Sequence, residues 1–217
     1  MGVLEKLLLS FLCPLSFVLS SLFPLYMKFN VVVFGHSYVR DLSRQGITEF
    51  SVAGNSFRLD YVSLPGANFC SFDDTDHFEV VKSKKPDFVV VILGGNDLRV
   101  KTDLSKVYAD CTRFYNTLRD FLPDSIIIAS QIENRFYQDN NRFGCPPGKQ
   151  FDYLRRHFNR FLKNKKFKDC LLQVQGPNRL DKEENYRDGV HLSSFGLRKY
   201  CVFLRETVFS AYHRFRA

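Results

Sequence analysis

The stretch D-F-V-V-V-I-L at residues 87–93, followed by G-G-N-D at residues 94–97, decides the fold class of this chain. Every residue from Phe88 to Leu93 is apolar, which is typical of a central strand in a parallel sheet that is covered on both faces. A second buried-strand pattern, N-V-V-V-F, lies upstream at residues 30–34. Because such strands need helices on both sides of the sheet, the sequence predicts an α/β protein.

Outward from these two runs, short β-branched segments alternate with segments of helical periodicity, as in repeated βα units. The predicted strands lie at 30–34, 57–64, 87–93, 125–129 and 171–174. The predicted helices run from 37 to about 44, from 104 to 122, from 151 to 167 and from 193 to about 212. Five strands with intervening helices predict a three-layer α/β/α sandwich around a five-stranded parallel sheet.

Composition sets the limits of the domain count and of the class of protein. The 217 residues are 45% hydrophobic and 25% charged, which indicates one globular domain and excludes disordered and collagen-like chains. The 31 lysines and arginines exceed the 23 acidic residues, giving a net charge of +8. This charge permits an anionic partner without requiring one. The six cysteines form no C-x-x-C pair, so no structural metal site is predicted.

The N-terminus differs from the rest of the chain, because residues 7–27 carry no charge. This run is long enough for a bilayer span or a signal peptide, although Pro14 and Pro24 interrupt it and no A-x-A cleavage pattern follows. Alternatively, Met27 is the natural start. The sequence therefore predicts a targeting or dispensable segment at 1–26 and one folded domain at 27–217. An intracellular location is favoured, and a secreted or membrane-tethered one applies if the segment is a targeting signal.

Small and polar residues follow the predicted strands at the points where ligands bind in open α/β sheets. Ser37 follows the first strand, Gly66 the second and Asn96 the third. Asp188 and His191 follow the fifth strand across a polar loop. Because parallel strands end at the same edge of a sheet, we expect these five residues to come together.

These residue types match the requirements of nucleophilic acyl transfer. A serine hydroxyl needs a base to take its proton, and the base needs an acceptor on its other ring nitrogen. We predict Ser37 as nucleophile, His191 as base and Asp188, three residues earlier, as the carboxylate that orients the imidazole. The backbone N–H groups of Ser37 and Gly66 and the side-chain amide of Asn96 are the predicted oxyanion donors.

These blocks resemble those of the SGNH, or GDSL-type, hydrolases, which are named for a serine, a glycine, an asparagine and a histidine in four separate blocks. The family's serine falls on Ser37 in V-V-F-G-H-S, and its glycine falls on Gly66 in L-P-G-A-N. Its asparagine falls on Asn96 in G-G-N-D. Its D-x-x-H acid and base fall on Asp188 and His191 in D-G-V-H-L.

The resemblance spans residues 31–200 and implies a flavodoxin-like sheet that hydrolyses esters, thioesters or acyl groups without a cofactor. It implies a small-molecule, lipid or carbohydrate ester as substrate and leaves the oligomeric state open. One departure is His36, which stands where the family usually has aspartate and changes the hydrogen bonding under the nucleophile loop. Short basic chains with G-H-S are also similar to esterase-like domains carried by some non-LTR retrotransposon open reading frames.

Other interpretations of the same residues remain open at this stage. Ser37 is also a suitable helix cap, and Asp188-Gly189 is also an ordinary turn. A basic, phenylalanine-containing run at residues 155–168 is typical of the solvated face of an amphipathic helix. It also permits a second function, in which an inactive module of the same fold binds nucleic acid or another anionic partner. A third interpretation is an esterase tethered to lipid by residues 7–27.

Overall fold

The computed structural model of the chain describes residues 27–72, 76–99, 101–136, 148–165, 171–174, 180 and 182–216. The N-terminal segment at 1–26 lies outside the described residues, so its role and its separation from the domain at 27–217 stay predictions. Among the helices of the described ranges, none combines the length and the apolar character that crossing a bilayer demands.

Six strands form a single sheet. They are β1 (Lys28–Gly35), β2 (Glu49–Val52), β3 (Asn55–Ser63), β4 (Phe88–Ile92), β5 (Ile126–Ser130) and β6 (Leu171–Val174). Their order across the sheet is β2-β3-β1-β4-β5-β6. Five strands, namely β3, β1, β4, β5 and β6, are parallel to one another, as predicted. Strand β2 is an additional antiparallel edge strand. The parallel strands follow the flavodoxin-like order, in which the chain switches direction between β1 and β4.

The edge strand β2 was missed by the sequence prediction because its turn has an unusual composition. Ala53 and Gly54 connect β2 to β3, and both have positive φ, at 49° and 79°. A two-residue hairpin turn with both central residues at positive φ normally carries Asn-Gly or Asp-Gly. Ala-Gly does not give that signal, so the hairpin is visible only in the structure.

Helices cover both faces of the sheet and confirm the three-layer prediction. The helices are α1 (Ser37–Ser43), α2 (Asp76–Ser83), α3 (Leu104–Phe121), α4 (Gly148–Asn164) and α5 (Ser194–Arg216). Side chains of α1 and α5 share one core cluster with the sheet, and those of α2, α3 and α4 share the other. Helix α2 was not predicted because it is short and buries only Phe78 and Val81.

Alternating side chains of β1 connect the two cores and hold the sheet edge in place. Val31 and Val33 face the α1 and α5 side, whereas Val32 and Phe34 face the other. All four are fully buried, and each contributes roughly 1.5–3 kcal/mol of burial free energy. The point at which β1 ends is therefore firmly positioned, and the residues after Gly35 extend from a rigid support.

Candidate active site

The loop after β1 begins at a glycine that tolerates no side chain. Gly35 has φ +152°, and a Cβ atom there would lie 2.0 Å from the carbonyl oxygen of Ile92 in β4. The next N–H group, that of His36, donates to the same oxygen at 3.2 Å. This close approach of β1 and β4 places the start of α1 directly beside the end of β4.

His36, rather than Ser37, caps helix α1. The Nδ1 atom of His36 accepts a hydrogen bond from the Tyr38 backbone N–H at 3.3 Å. Ser37 is therefore the first residue of the helix proper, and its side chain is half-buried rather than serving as the cap. The interpretation of Ser37 as a simple helix cap is excluded by this arrangement.

Burial keeps His36 uncharged. Its side chain is 4% exposed, and desolvation, followed by the positive fields of Arg135 and His191, lowers its pKa to about 3. Because Nδ1 acts as an acceptor, the neutral ring carries its proton on Nε2. His36, which stands where the motif resemblance leads us to expect aspartate, thus brings no charge to the start of helix α1 near neutral pH.

Asp188 and His191 form the contact that their spacing predicts. Asp188 Oδ2 lies 2.8 Å from Nδ1 of the His191 ring. Asp188 Oδ1 accepts hydrogen bonds from the backbone N–H groups of Val190, at 2.9 Å, and of His191, at 2.6 Å. Partial burial opposes ionisation, but the bonds from His191 and Val190 outweigh it and lower the pKa of Asp188. An ionised Asp188 fixes the His191 proton on Nδ1 and leaves Nε2 able to accept one.

Two contacts join the Asp188–His191 loop to helix α1. The Tyr38 hydroxyl donates to the carbonyl oxygen of Val190, so the residues next to Ser37 and His191 touch each other. One turn further along α1, Asp41 accepts a hydrogen bond from Arg187 Nη2 at 3.1 Å. Segments separated by about 150 residues in the chain are thereby held side by side.

Gly66 and Asn96 come from neighbouring loops that are also joined. Residues 64–67 form a turn closed by the Ala67 N–H and the Leu64 carbonyl at 3.1 Å, with Gly66 at φ +81°. The turn's own bond thus does not use the Gly66 N–H. Asn96 Nδ2 donates to the Ala67 carbonyl at 2.9 Å, which uses one of its two hydrogens.

The Leu64 N–H donates to the Gly35 carbonyl at 2.8 Å and links the Gly66 loop to the loop after β1. The loops that carry all five predicted residues are thus connected at one edge of the sheet. The contacts that connect them involve four residues that the sequence prediction missed, namely Tyr38, Asp41, Arg135 and Arg187. None of the four has a motif signal of its own, because each acts through a contact with a segment that is distant in the sequence.

Asp97, next to Asn96, is a buried acid with an incomplete set of hydrogen bonds. Its Oδ1 accepts from the Phe69 N–H at 3.2 Å, whereas its buried Oδ2 bonds to no group of the described residues. Desolvation raises the pKa of Asp97 to about 7 despite the bond from Phe69. The native state therefore favours the protonated acid well above the pH at which an exposed aspartate ionises.

Replacing Asp97 by asparagine is expected to raise the free energy of unfolding, relative to wild type, by more at pH 8 than at pH 5. A carboxyl group whose pKa is raised by folding contributes stability that is complete below about pH 4 and is lost as the pH rises through about 7. The effect is up to ~1.4 kcal/mol per pH unit across that window. Urea unfolding at both pH values measures it, with the exposed Asp124→Asn variant as control. An equal effect of Asp97→Asn at pH 5 and pH 8 would contradict the prediction.

The basic run falls on helix α4 as predicted for a solvated face. Phe158 is fully buried, whereas Arg155 and Arg156 both contact Asp152 on the same helix. Lys163 is exposed, and the end of the run lies outside the described residues. Binding of nucleic acid by this face stays a prediction, which salt-dependent binding of a single-stranded oligonucleotide would test.

No protein-family model and no curated protein matches the sequence, whereas many solved structures match the fold. A GDSL-like lipase from Bacteroides thetaiotaomicron is 16% identical over 84% of this chain and 88% of its own, with a TM-score of 0.59. A carbohydrate esterase family 3 structure from Talaromyces cellulolyticus is 14% identical over 84% and 97%, with a TM-score of 0.59.

A lipase/acylhydrolase from Enterococcus faecalis is 16% identical over 82% of this chain and 94% of its own, with a TM-score of 0.53. The chain therefore has the fold of the SGNH, or GDSL-type, hydrolases, as the motif resemblance implied. Within that fold, Ser37 begins helix α1, and Gly66, Asn96 and the Asp188–His191 pair lie on loops that hydrogen bonds connect to it and to one another.

Proposed function

We propose that this chain is a cofactor-independent serine esterase or acyl-hydrolase that acts through an acyl-enzyme. The observation that carries the proposal is the 2.8 Å contact between Asp188 Oδ2 and His191 Nδ1, in a loop that Tyr38 joins to the helix beginning at Ser37. A carboxylate, an imidazole and a hydroxyl in this order are the groups that serine acyl transfer requires. The esterases and lipases that share the fold support an ester as substrate.

In the first half-reaction, the Ser37 oxygen forms a bond to the ester carbonyl carbon while Nε2 of His191 takes the hydroxyl proton. The carbonyl oxygen becomes an oxyanion, which accepts hydrogen bonds from the N–H groups of Ser37 and Gly66 and from the remaining N–H of Asn96. Collapse of the tetrahedral intermediate breaks the bond to the alcohol, which leaves with the proton from His191. The acyl group stays on Ser37.

In the second half-reaction, His191 takes a proton from water, and the resulting hydroxide attacks the acyl-enzyme. The tetrahedral intermediate collapses to the carboxylic acid, and His191 returns its proton to the Ser37 oxygen. Asp188 stays ionised throughout, because its lowered pKa keeps the carboxylate available to the imidazolium. This cycle needs no metal ion or organic cofactor.

Covalent labelling tests the proposal directly. The protein should hydrolyse p-nitrophenyl acetate, and an organophosphonate should inactivate it in a 1:1 reaction. Mass spectrometry of the digested adduct should place the label on the peptide that contains Ser37. A label on a different peptide, or hydrolysis that continues after complete labelling of Ser37, would exclude the proposed nucleophile.

A further inference from the structure

Arg135 is a buried cation in contact with the predicted oxyanion donor. Arg135 is only 6% exposed, and its Nη2 atom donates a hydrogen bond to Asn96 Oδ1 at 3.1 Å. The guanidinium carbon lies 5.0 Å from the centre of the Phe151 ring, a cation–π distance. A Cβ atom on Gly95 would lie 2.5 Å from Nη2, so the glycine leaves the space that the arginine occupies.

This contact determines which way the Asn96 amide faces. A guanidinium only donates hydrogen bonds, so the atom of Asn96 that faces it must be the oxygen. With Oδ1 held by Arg135, Nδ2 points to the Ala67 carbonyl and keeps one hydrogen for another acceptor. The opposite orientation would present oxygen rather than N–H to a developing oxyanion. The positive charge of the guanidinium beside Oδ1 also polarises the amide and makes its N–H groups better donors.

The short segment that carries Arg135 is itself held at both ends. Near its start, Asn159 of α4 makes two 2.9 Å hydrogen bonds to the N–H and carbonyl groups of Ile132. At its end, the Phe136 N–H donates at 2.7 Å to the carbonyl oxygen of Gly189, which lies between Asp188 and His191. Adjacent residues of one segment therefore contact Asn96, the predicted oxyanion donor, and the Asp188–His191 loop.

We propose that Arg135 is a positioning residue that acts through Asn96, holding the amide N–H toward the oxyanion and the segment 131–136 in register with the Asp188–His191 loop. The proposal rests on the proposed function, because it assigns Asn96 the role of oxyanion donor. It extends that function by a residue that no motif of the sequence marks. Arg135 itself does not touch the reacting atoms.

A double-mutant cycle separates this role from a merely structural one. Arg135→Met retains an unbranched chain of atoms but removes the guanidinium and its hydrogen-bond donors. This variant should lower kcat about 10- to 100-fold with little change in KM. In an Asn96→Ala background, the same substitution should change kcat less than twofold, because the group through which Arg135 acts is already gone. Arg135→Lys should restore part of the loss.

Arg119 provides the matched control, because it is an arginine that bonds to backbone carbonyls of Leu122, Pro123 and Ser125 at the end of α3. Arg119→Met should lower the thermal midpoint without a selective loss of kcat. Equal losses for Arg135→Met in both backgrounds, or no loss in either, would overturn the proposal.

A second measurement tests the contact between Arg135 and Asn96 without relying on enzymatic activity. The ¹⁵N side-chain amide signals of Asn96, assigned by their disappearance in Asn96→Ala, should shift in Arg135→Met. If the wild-type protein neither hydrolyses esters nor reacts with the phosphonate, the proposed function fails while this signal still reports the contact. Unchanged Asn96 signals would then refute the positioning role independently.

Discussion

Replacement of Ser37 by alanine is expected to lower kcat for ester hydrolysis by about 10⁴-fold or more and to abolish phosphonate labelling. Alanine removes the only atom at this position that can bond to the acyl carbon. The change should leave the fold intact, because the helix cap is the His36 ring and not the Ser37 hydroxyl. Initial rates with p-nitrophenyl acetate, together with the mass of the labelled protein, measure both effects.

Ser43→Ala is the matched control for Ser37→Ala. Ser43 ends the same helix, is exposed, and uses its hydroxyl for a local bond to the Arg40 carbonyl at 2.7 Å. We expect this variant to keep wild-type kcat and to be labelled at the wild-type rate. Substantial turnover by Ser37→Ala, with a wild-type thermal midpoint, would show that another group attacks the ester.

Replacement of Asp188 by asparagine is expected to lower kcat by about 10⁴-fold while changing the structure little. The asparagine oxygen can still accept the N–H groups of Val190 and His191, as Asp188 Oδ1 does. The new amide nitrogen, however, would donate to His191 Nδ1 and shift the ring proton to Nε2. His191 could then no longer act as a base toward Ser37.

Steady-state kinetics across the pH range measure this loss, which should not be recovered at any pH because it arises from the tautomer and not from protonation. Glu183→Gln is the control, since Glu183 is an exposed acid a few residues earlier in the same loop. That variant should keep kcat within twofold of wild type. A loss of less than tenfold in Asp188→Asn would mean that His191 does not depend on this carboxylate.

The parts of the fold and site that the sequence predicts are those with local signals. The apolar runs that became β1 and β4 are buried on both faces, so their pattern survives any reasonable packing. The Asp188–His191 contact joins residues three apart, and one turn of chain suffices to form it. The location of Asp188 and His191 on the side of the sheet where the parallel strands end follows from the topology.

The parts that could not be predicted depend on contacts between distant segments. Tyr38 reaches Val190 across 152 residues, and Arg135 reaches Asn96 across 39. Neither contact is visible in the sequence, because an arginine is normally solvated and a tyrosine hydroxyl does not reveal which distant carbonyl it reaches. The β2 hairpin was missed for a different reason, since Ala53-Gly54 adopts a turn that its composition does not favour.

If the proposed function holds, the contact between Gly35 and the Ile92 carbonyl limits how the site can adapt to new substrates. The two strands meet so tightly that not even a methyl group fits between them, and Ser37 and Asn96 lie just beyond their ends. Under the proposed function, the spacing between the backbone segments that carry Ser37 and Asn96 is thus set by the main chain, and exchanging side chains elsewhere cannot widen it. Diversification toward bulkier esters has to proceed through the loops that rim the site, while the chemistry at its floor stays constant.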